Sequence, residues 1–533
     1  MAPYAVAVIG MTSKGCEKMQ DRWRTVGVLE ALLSLVGHRG VGHADVVVGM
    51  REEGEIDCTQ KGEEENEEEG STEKRAIQSA KSKLRGAVLY ALMHLVNNNS
   101  KNTEVLLLED TLRTLARLFI SEPFAPSASP AISMLTNCSK ISHSAKLTII
   151  SCGVIKSLAV LLNEGDWQQA VLSSACLDVL ATNCQKAQME LYDNDKMMTL
   201  LSIVAEKHSS FKLAQFYCVR AIRHCIDLGV FVKEHLRSSG GVDLLVQILR
   251  DKYKLQEGRH EGKQVDESGE NEKSQESQES NSSLEPKVGR EETQAAFLVQ
   301  ETLRTLAAAV SGVKECRKEM QMLGAVPLLI HVVEYGEMEE APEAARALLS
   351  TIDGSEDNRA VARAHGAVSV LVRLLARAKV KFSACCALDT ICTLIANDHE
   401  AKNILLRENA ASVLAESFQH AALALEEEQD VRVRLAQVCG TWCSCFAAAR
   451  VALREAGAIP PLLSMLLPGR ENKEKLIAVE CLPAIIEAQP QSKELVMKAG
   501  GVQALAAITK WSNAPGLLAF ASIGIARALS KIE

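Results

Sequence analysis

Aromatic residues are scarce in this sequence. Phe, Trp and Tyr supply 4% of 533 residues although hydrophobic residues supply 47%, so the core must be filled by Leu, Ala, Val and Ile, the side chains of packed helices. Proline is also sparse, at 13. An all-β sandwich or barrel would need more turn residues and more alternating aromatic and β-branched positions than this chain supplies. Long apolar runs are missing: nothing approaches the roughly 18–20 uninterrupted apolar residues of a membrane-spanning helix, and the short run Ala5 to Ile9 has neither a basic leader nor a cleavage site. No paired cysteine framework is visible. The sixteen cysteines sit within apolar segments, as Cys176, Cys218, Cys386 and Cys392 do, which fits reduced core thiols of a cytoplasmic or nuclear protein.

Net negative charge is missing from most of the chain, although the total is −9. Residues 51–74 carry −8 and residues 251–292 carry −5, so the other 467 residues carry +4. The first segment contains Glu63 to Glu65 and Glu67 to Glu69, and the second contains the Ser/Gln/Glu stretch Ser274 to Ser280. Neither holds enough apolar surface to offset the entropy of ordering, so both are expected to be disordered insertions.

A length of 533 residues exceeds one ordinary core, and the organisation emerges from self-similarity. A helix-breaking residue is followed by apolar residues at offsets near two, five, eight and nine: Gly324 with Val326, Leu329, Val332 and Val333; Gly366 with Val368, Leu371, Leu374 and Leu375; Gly457 with Ile459, Leu462, Met465 and Leu466; Gly500 with Val502, Leu505 and Ile508. Weaker copies begin at Gly27, Asp110, Gly153, Asp195, Gly240 and Asn409, and from Asp110 onward the spacings are 43, 42, 45, 84, 42, 43, 48 and 43. The double-length gap holds the second acidic segment, and the gap from Gly27 to Asp110 holds the first. Glycine reaches positive φ without penalty and lets the chain turn at a helix end. The apolar residues after it trace one helical face. A longer apolar helix, such as Ala384 to Ile395, and a short amphipathic one, such as Asn358 to Ala364, complete the unit.

This three-helix unit resembles the armadillo repeat family. The matching residues are the Gly-Ala-Val-Pro-Leu-Leu run at Gly324, the Gly-Ala-Ile-Pro-Pro-Leu-Leu run at Gly457, and the Ala-Ile-Ser-Met-Leu-Thr-Asn run ending at Asn137. Helix-pair HEAT repeats are the near alternative. The expected fold is therefore an all-α, right-handed armadillo-type solenoid: an incomplete first repeat over 1–36, an acidic insertion over 37–74, repeats over 75–250, a second insertion over 251–292, and repeats over 293–533. The position sixteen residues before Gly27 is Met11, so the sequence starts within a repeat, which points to a truncated start or to an assembly contact at the uncapped N-terminal end.

The resemblance implies a groove lined by the long apolar helices, with an asparagine ladder sixteen residues before each turn holding an extended peptide. That register gives Met11, His94, Asn137, Thr182 or Asn183 with a shortened loop, His224, Ala308, Ser350, Thr393, Thr441, Ala484 and, by helix pattern, Lys531. Only Asn137 is clearly an asparagine. Importin-α-like members place tryptophan four residues earlier to clamp lysine stems; here Tyr90, Ser133, Arg220, Arg304, Arg346, Asp389, Gln437, Glu480 and Arg527 stand there. Capture of a basic import signal in the usual way is therefore not expected.

Arg220, Arg304 and Arg346 occupy that position in three consecutive units that show the motif, which favours an acidic or phosphorylated extended segment, because guanidinium forms paired bonds with carboxylate or phosphate. The bland reading is a solvated helix face. Groove candidates are Asn137, Arg220, His224, Arg304, Arg346 and Ser350, with Tyr90, His94 and Asn183 as further positions. The second acidic segment could fold back onto the basic groove, or be an inert loop. No catalytic constellation, cofactor or metal site is expected: Cys16 stands where a phosphate loop needs lysine, and Cys439, Cys443 and Cys445 lack a second set with zinc-ligand spacing. A body charge of +4 without a basic, aromatic-laced stripe argues against nucleic acid. The expected function is a non-enzymatic protein-interaction scaffold; the alternative is a structural or co-chaperone-like subunit that docks through its outer surface and ends.

Overall fold

The computed structural model describes residues 9–11, 13–14, 16–37, 83–97, 99–261, 285–378, 380–423, 428–467, 469–487 and 489–510. The first acidic insertion and the terminal positions Arg527 and Lys531 lie outside the described residues. Of the second insertion, 251–261 and 285–292 continue flanking helices and 262–284 lie outside the described residues. Every regular element among the described residues is helical. The chain forms two compact units, unit 1 up to Val232 and unit 2 from Lys233, which part within the helix Val230–Ser238.

Each unit is a two-layer stack. In unit 1 the inner layer consists of α1 (Ala128–Ile141), α2 (Trp167–Ala181) and α3 (Lys212–Ile226), each packed on the next. In unit 2 it consists of α4 (Glu285–Val310), α5 (Glu340–Ile352), α6 (Lys381–Ile395), α7 (Gln429–Cys443) and α8 (Asn472–Ile486). The outer layer runs parallel to this, with Ala325–Tyr335, Ala367–Arg377, Ala410–Leu423 and Ile459–Ser464 stacked in order in unit 2. Short helices such as Glu356–Ala364 and His399–Arg407 lead from one layer to the other. The molecule is thus an all-α solenoid of three-helix, armadillo-like repeats.

The turn that sets the period has the expected backbone. Gly27, Gly153, Gly240, Gly324, Gly366, Gly457 and Gly500 have φ between 60° and 83°, and Asn409 has φ 52°, the left-handed region that β-carbon sterics close to most residues. Asp110 and Asp195 differ. They lie inside their helices, which are entered from extended Leu108 (φ −60°, ψ 130°) and Asp193 (φ −49°, ψ 133°). The apolar residues after the turns are buried: Val326, Leu329, Val332 and Val333 are at most 1% exposed. Val502, expected in the core, is 42% exposed.

Two further rows were not foreseen. Twelve residues before a turn, Asn183, Gly312, Gly354, Asn397 and Cys445 also have φ between 54° and 78° and end an inner helix. Seven residues before a turn, a long donor reaches the last carbonyls of the following inner helix: Gln20 Nε2 to His94 O (2.7 Å), Lys146 Nζ to Thr182 O (2.6 Å), Lys233 Nζ to Ser311 O (2.7 Å), Arg317 Nε to Ser350 O (3.3 Å), Lys402 Nζ to Ser444 O (2.7 Å) and Arg450 Nη1 to Glu487 O (3.2 Å). Terminal helix carbonyls have no intrahelical partner, and cations there also oppose the negative end of the helix dipole. Five cations of a body whose net charge is +4 are directed at helix ends rather than at a ligand.

Candidate inner-face binding site

The structure places the expected candidates on or beside the inner helices, and most already have partners. In unit 1, α2 carries Asp178, 1% exposed, and α3 carries Arg220 and His224 one turn apart. Arg220 Nη2 lies 3.2 Å from Asp178 Oδ2 and His224 Nε2 lies 3.5 Å from Oδ1. Thr182 Oγ1 donates its proton to the Asp178 carbonyl (2.8 Å). Toward His224 Nε2, 3.1 Å away, it can therefore only accept, which puts a hydrogen on Nε2. Burial and the Asp178 charge hold the Tyr217 hydroxyl above its usual range. Of the alternatives Thr182 and Asn183, Thr182 takes part in this cluster, whereas Asn183 is exposed and forms the left-handed turn.

The other unit 1 candidates are separate. Asn137 is half-buried on α1. His94, on the helix over residues 83–96, is 6% exposed and stacks edge-on against Tyr90 with ring centroids 4.4 Å apart. Burial, then Lys14, push the His94 imidazole below its usual value.

In unit 2 the same logic recurs between α4 and α5. Glu343, 3% exposed, accepts from Arg304 Nε at 2.6 Å and lies 2.8 Å from Arg346 Nη2, while Glu301 Oε2 is 3.5 Å from Arg304 Nη1. Burial pulls the Arg304 guanidinium down, and the Glu343 bond and charges more than offset it, so its pKa is raised. Ser350 contributes its main-chain oxygen to Arg317 (3.3 Å). Of the arginines expected as a ligand-reading row, Arg220 and Arg304 tie adjacent inner helices together and Arg346 pairs with Glu343 of its own helix, so all three are balanced by buried carboxylates. For Arg220 and Arg304 the signal available in the sequence was an acidic residue about one repeat away, Asp178 and Glu343.

The concave feature lies further along unit 2. A cavity of about 730 Å³ runs from Leu349 of α5 across α6 and α7 to Ala484 of α8. Asp389, Gln437 and Glu480 line it at one register and Thr393, Thr441 and Ala484 at the register four residues on. Its floor is tight: a β-carbon on Gly440 would stand 2.6 Å from Cys481 Sγ and 3.2 Å from Cys481 Cα, so glycine lets α7 and α8 approach closely. The thiols here are kept protonated by burial, Cys443 and Cys481 being pushed up to about 12, which makes them poor nucleophiles. Among the described residues no group of three or more His, Cys, Asp or Glu side chains is placed to hold a metal ion. Trp442 is a core residue whose Nε1 donates to Lys402 O (3.1 Å), and Trp511 lies outside the described residues.

No single described helix is long and apolar enough to cross a membrane. The pair His143–Ser151 and Val154–Glu164, apolar enough together, is bent by 75° and buries Ile149, Val154, Ile155 and Leu158 in unit 1.

No protein-family model and no curated protein matches the chain. Solved structures do. The crystal structure of an engineered protein is 18% identical and superposes with a TM-score of 0.66 over 84% of this chain and 96% of its own. A designed armadillo repeat protein is 21% identical over 44% of this chain and 93% of its own, TM-score 0.39, and another, solved in complex with the peptide (KR)4, is also 21% identical, with a TM-score of 0.38 over 44% and 93%. At these identities the likeness of the engineered protein is one of fold, a helical repeat solenoid.

Proposed function

We propose that the chain is a non-enzymatic protein-interaction scaffold whose inner face in unit 2 holds an extended segment of a partner protein. The observation that carries this reading is the 730 Å³ cavity spanning four successive inner helices, open, polar at one register and small at the next. Such a surface suits main chain and small side chains. The finer expectation, an acidic or phosphorylated segment, has support only at the α4–α5 end, where the Arg304 and Arg346 side chains are 37% and 40% exposed. Glu301 and Glu343 already neutralise them, so contact there orients a segment more than it adds affinity.

The alternative, docking through the outer surface, is favoured by Tyr335, Met338, Val380 and Phe382, which are 44–63% exposed at helix-to-helix connections of unit 2. One experiment separates the two. Peptides selected from a displayed library on the full chain are retested on Ala484→Trp, which fills the cavity, and on Phe382→Glu. The groove reading expects binding to be lost in the first variant and kept in the second; the reverse pattern selects the outer surface.

A further inference from the structure

Two neighbouring outer-to-inner connections of unit 2 pair exposed apolar side chains with charge of opposite sign. The first, residues 334–340, holds Tyr335 and Met338 among Glu334, Glu337, Glu339 and Glu340. The second, residues 377–382, holds Val380 and Phe382 among Arg377, Lys379 and Lys381. All four apolar residues are at least 44% exposed. The connections lie side by side: Ala325–Tyr335 stacks on Ala367–Arg377, α5 stacks on α6, and Arg373 Nη2 lies 2.5 Å from Glu334 Oε1.

Part of this charge is settled within the chain. Arg373 balances Glu334, and Lys252 lies closest to Glu340, with Glu337 at 3.8 Å. Glu337 and Glu339 are both exposed, so the first connection keeps negative charge at its surface. Arg377 donates to the main-chain oxygens of Glu334 (3.1 Å) and Val333, neutral acceptors that leave its charge in place. Lys381 is 2.9 Å from Asp430, a solvent-exposed pair of the kind that is weakly held. An acidic apolar patch therefore adjoins a basic apolar one.

Opposite signs side by side are self-complementary under a two-fold axis, which sets each patch against the other patch of a second copy. The exposed connections of unit 1 lack this property. Phe124 follows Glu122, and Trp167 follows Glu164 and Asp166, with no basic residue over 122–127 or 164–169, so like copies of them would repel. We infer that connections 334–340 and 377–382 form a two-fold seam with a second copy of this chain. Tyr335 and Met338 pack on Val380 and Phe382 of the second copy, and Glu337 and Glu339 face its Arg377 and Lys381. Four side chains at about half exposure offer on the order of 400 Å² per copy, below the roughly 800 Å² per partner of a standard interface, so the dimer is weak and concentration-dependent. The inference goes beyond both readings above: the seam uses no residue that lines the inner-face cavity, and it joins like chains rather than recruiting a different protein.

Sedimentation velocity of the full chain from about 1 μM to about 200 μM tests it. The wild type is expected to pass from monomer to dimer with a dissociation constant on the order of tens of micromolar. Phe382→Glu and Met338→Lys, one on each connection, should each weaken association about tenfold or more, with thermal midpoints unchanged. Glu339→Lys and Lys381→Glu should each weaken it about tenfold, because every contact occurs twice in a two-fold dimer, and the two together should restore it. A chain still monomeric at about 200 μM overturns the inference and leaves both functional readings to the peptide retest above. A dimer indifferent to Phe382→Glu and Met338→Lys joins elsewhere and overturns it as well. A double charge exchange that associates no better than the single ones overturns the two-fold pairing.

Discussion

At the scale of single residues, the charged side chains have structural work that their sequence positions did not announce. Lys402 is almost fully buried, and its amine reaches Ser444 O. Lys402→Met keeps the stem and removes the donor, and a loss of about 1–2 kcal/mol in denaturant unfolding is expected from one terminal hydrogen bond and its dipole term. A loss below a few tenths would make the contact incidental. His94 gives a pH prediction for unit 1. Its folded pKa is depressed from an ordinary value of 6.5 by burial and by Lys14, so between the two values the unfolded chain holds the extra proton. Stability contributed here is full above about pH 6.5 and falls as pH drops through the window below it. Unfolding midpoints of the wild type measured from pH 8 to pH 5 should decline more steeply than those of His94→Gln; equal slopes would contradict this assignment.

At the scale of elements, the stacking of α7 on α8 depends on one absent side chain and one buried ion pair. Gly440→Ala drives a methyl toward Cys481 Sγ, and overpacking of this kind costs about 1–3 kcal/mol. Arg432 and Glu474, 1% and 2% exposed in their side chains, pair between the same two helices. Arg432→Met alone should destabilise by about 3–5 kcal/mol because it strands a buried carboxylate, whereas the double change with Glu474→Leu should recover most of that loss. A double variant as unstable as the single would show that the pair itself, rather than its compensation, holds the joint.

The same elements show why legibility stopped where it did. The left-handed turn is local, so Gly324 and Gly366 exposed the period from sequence alone, and the buried faces followed from 3.6-residue periodicity. Pairings such as Arg304 with Glu343, Asp389 with Arg434 and Arg432 with Glu474 join residues 39, 45 and 42 apart. That spread reflects inter-helix register, which a fixed offset does not capture. Asp110 and Asp195 keep the period but do not form the turn: each is the second residue of its helix, which is entered from Leu108 or Asp193 without a left-handed residue.

At the scale of the whole molecule, the balance of charge changed meaning twice. A net charge of −9 gives way to a body at +4 once the acidic segments are set apart. Lys146, Lys233, Arg317, Lys402 and Arg450 are then directed at helix ends. Arg220, Arg304 and Arg346 are directed at buried carboxylates. A solenoid is held together by nearest-neighbour interfaces, and this one uses its basic residues to make them. The groove reading places recognition on the stretch over α6–α8 where Thr393, Thr441 and Ala484 line the cavity.

We propose this stretch as the binding surface. Hydrogen exchange of the full chain, with and without a library-selected peptide at saturating concentration, tests it most directly. Protection concentrated in residues 389–397, 437–444 and 477–484 is the predicted result. Protection confined to the connections at 335–338 and 380–382, with the inner helices unchanged, would contradict it.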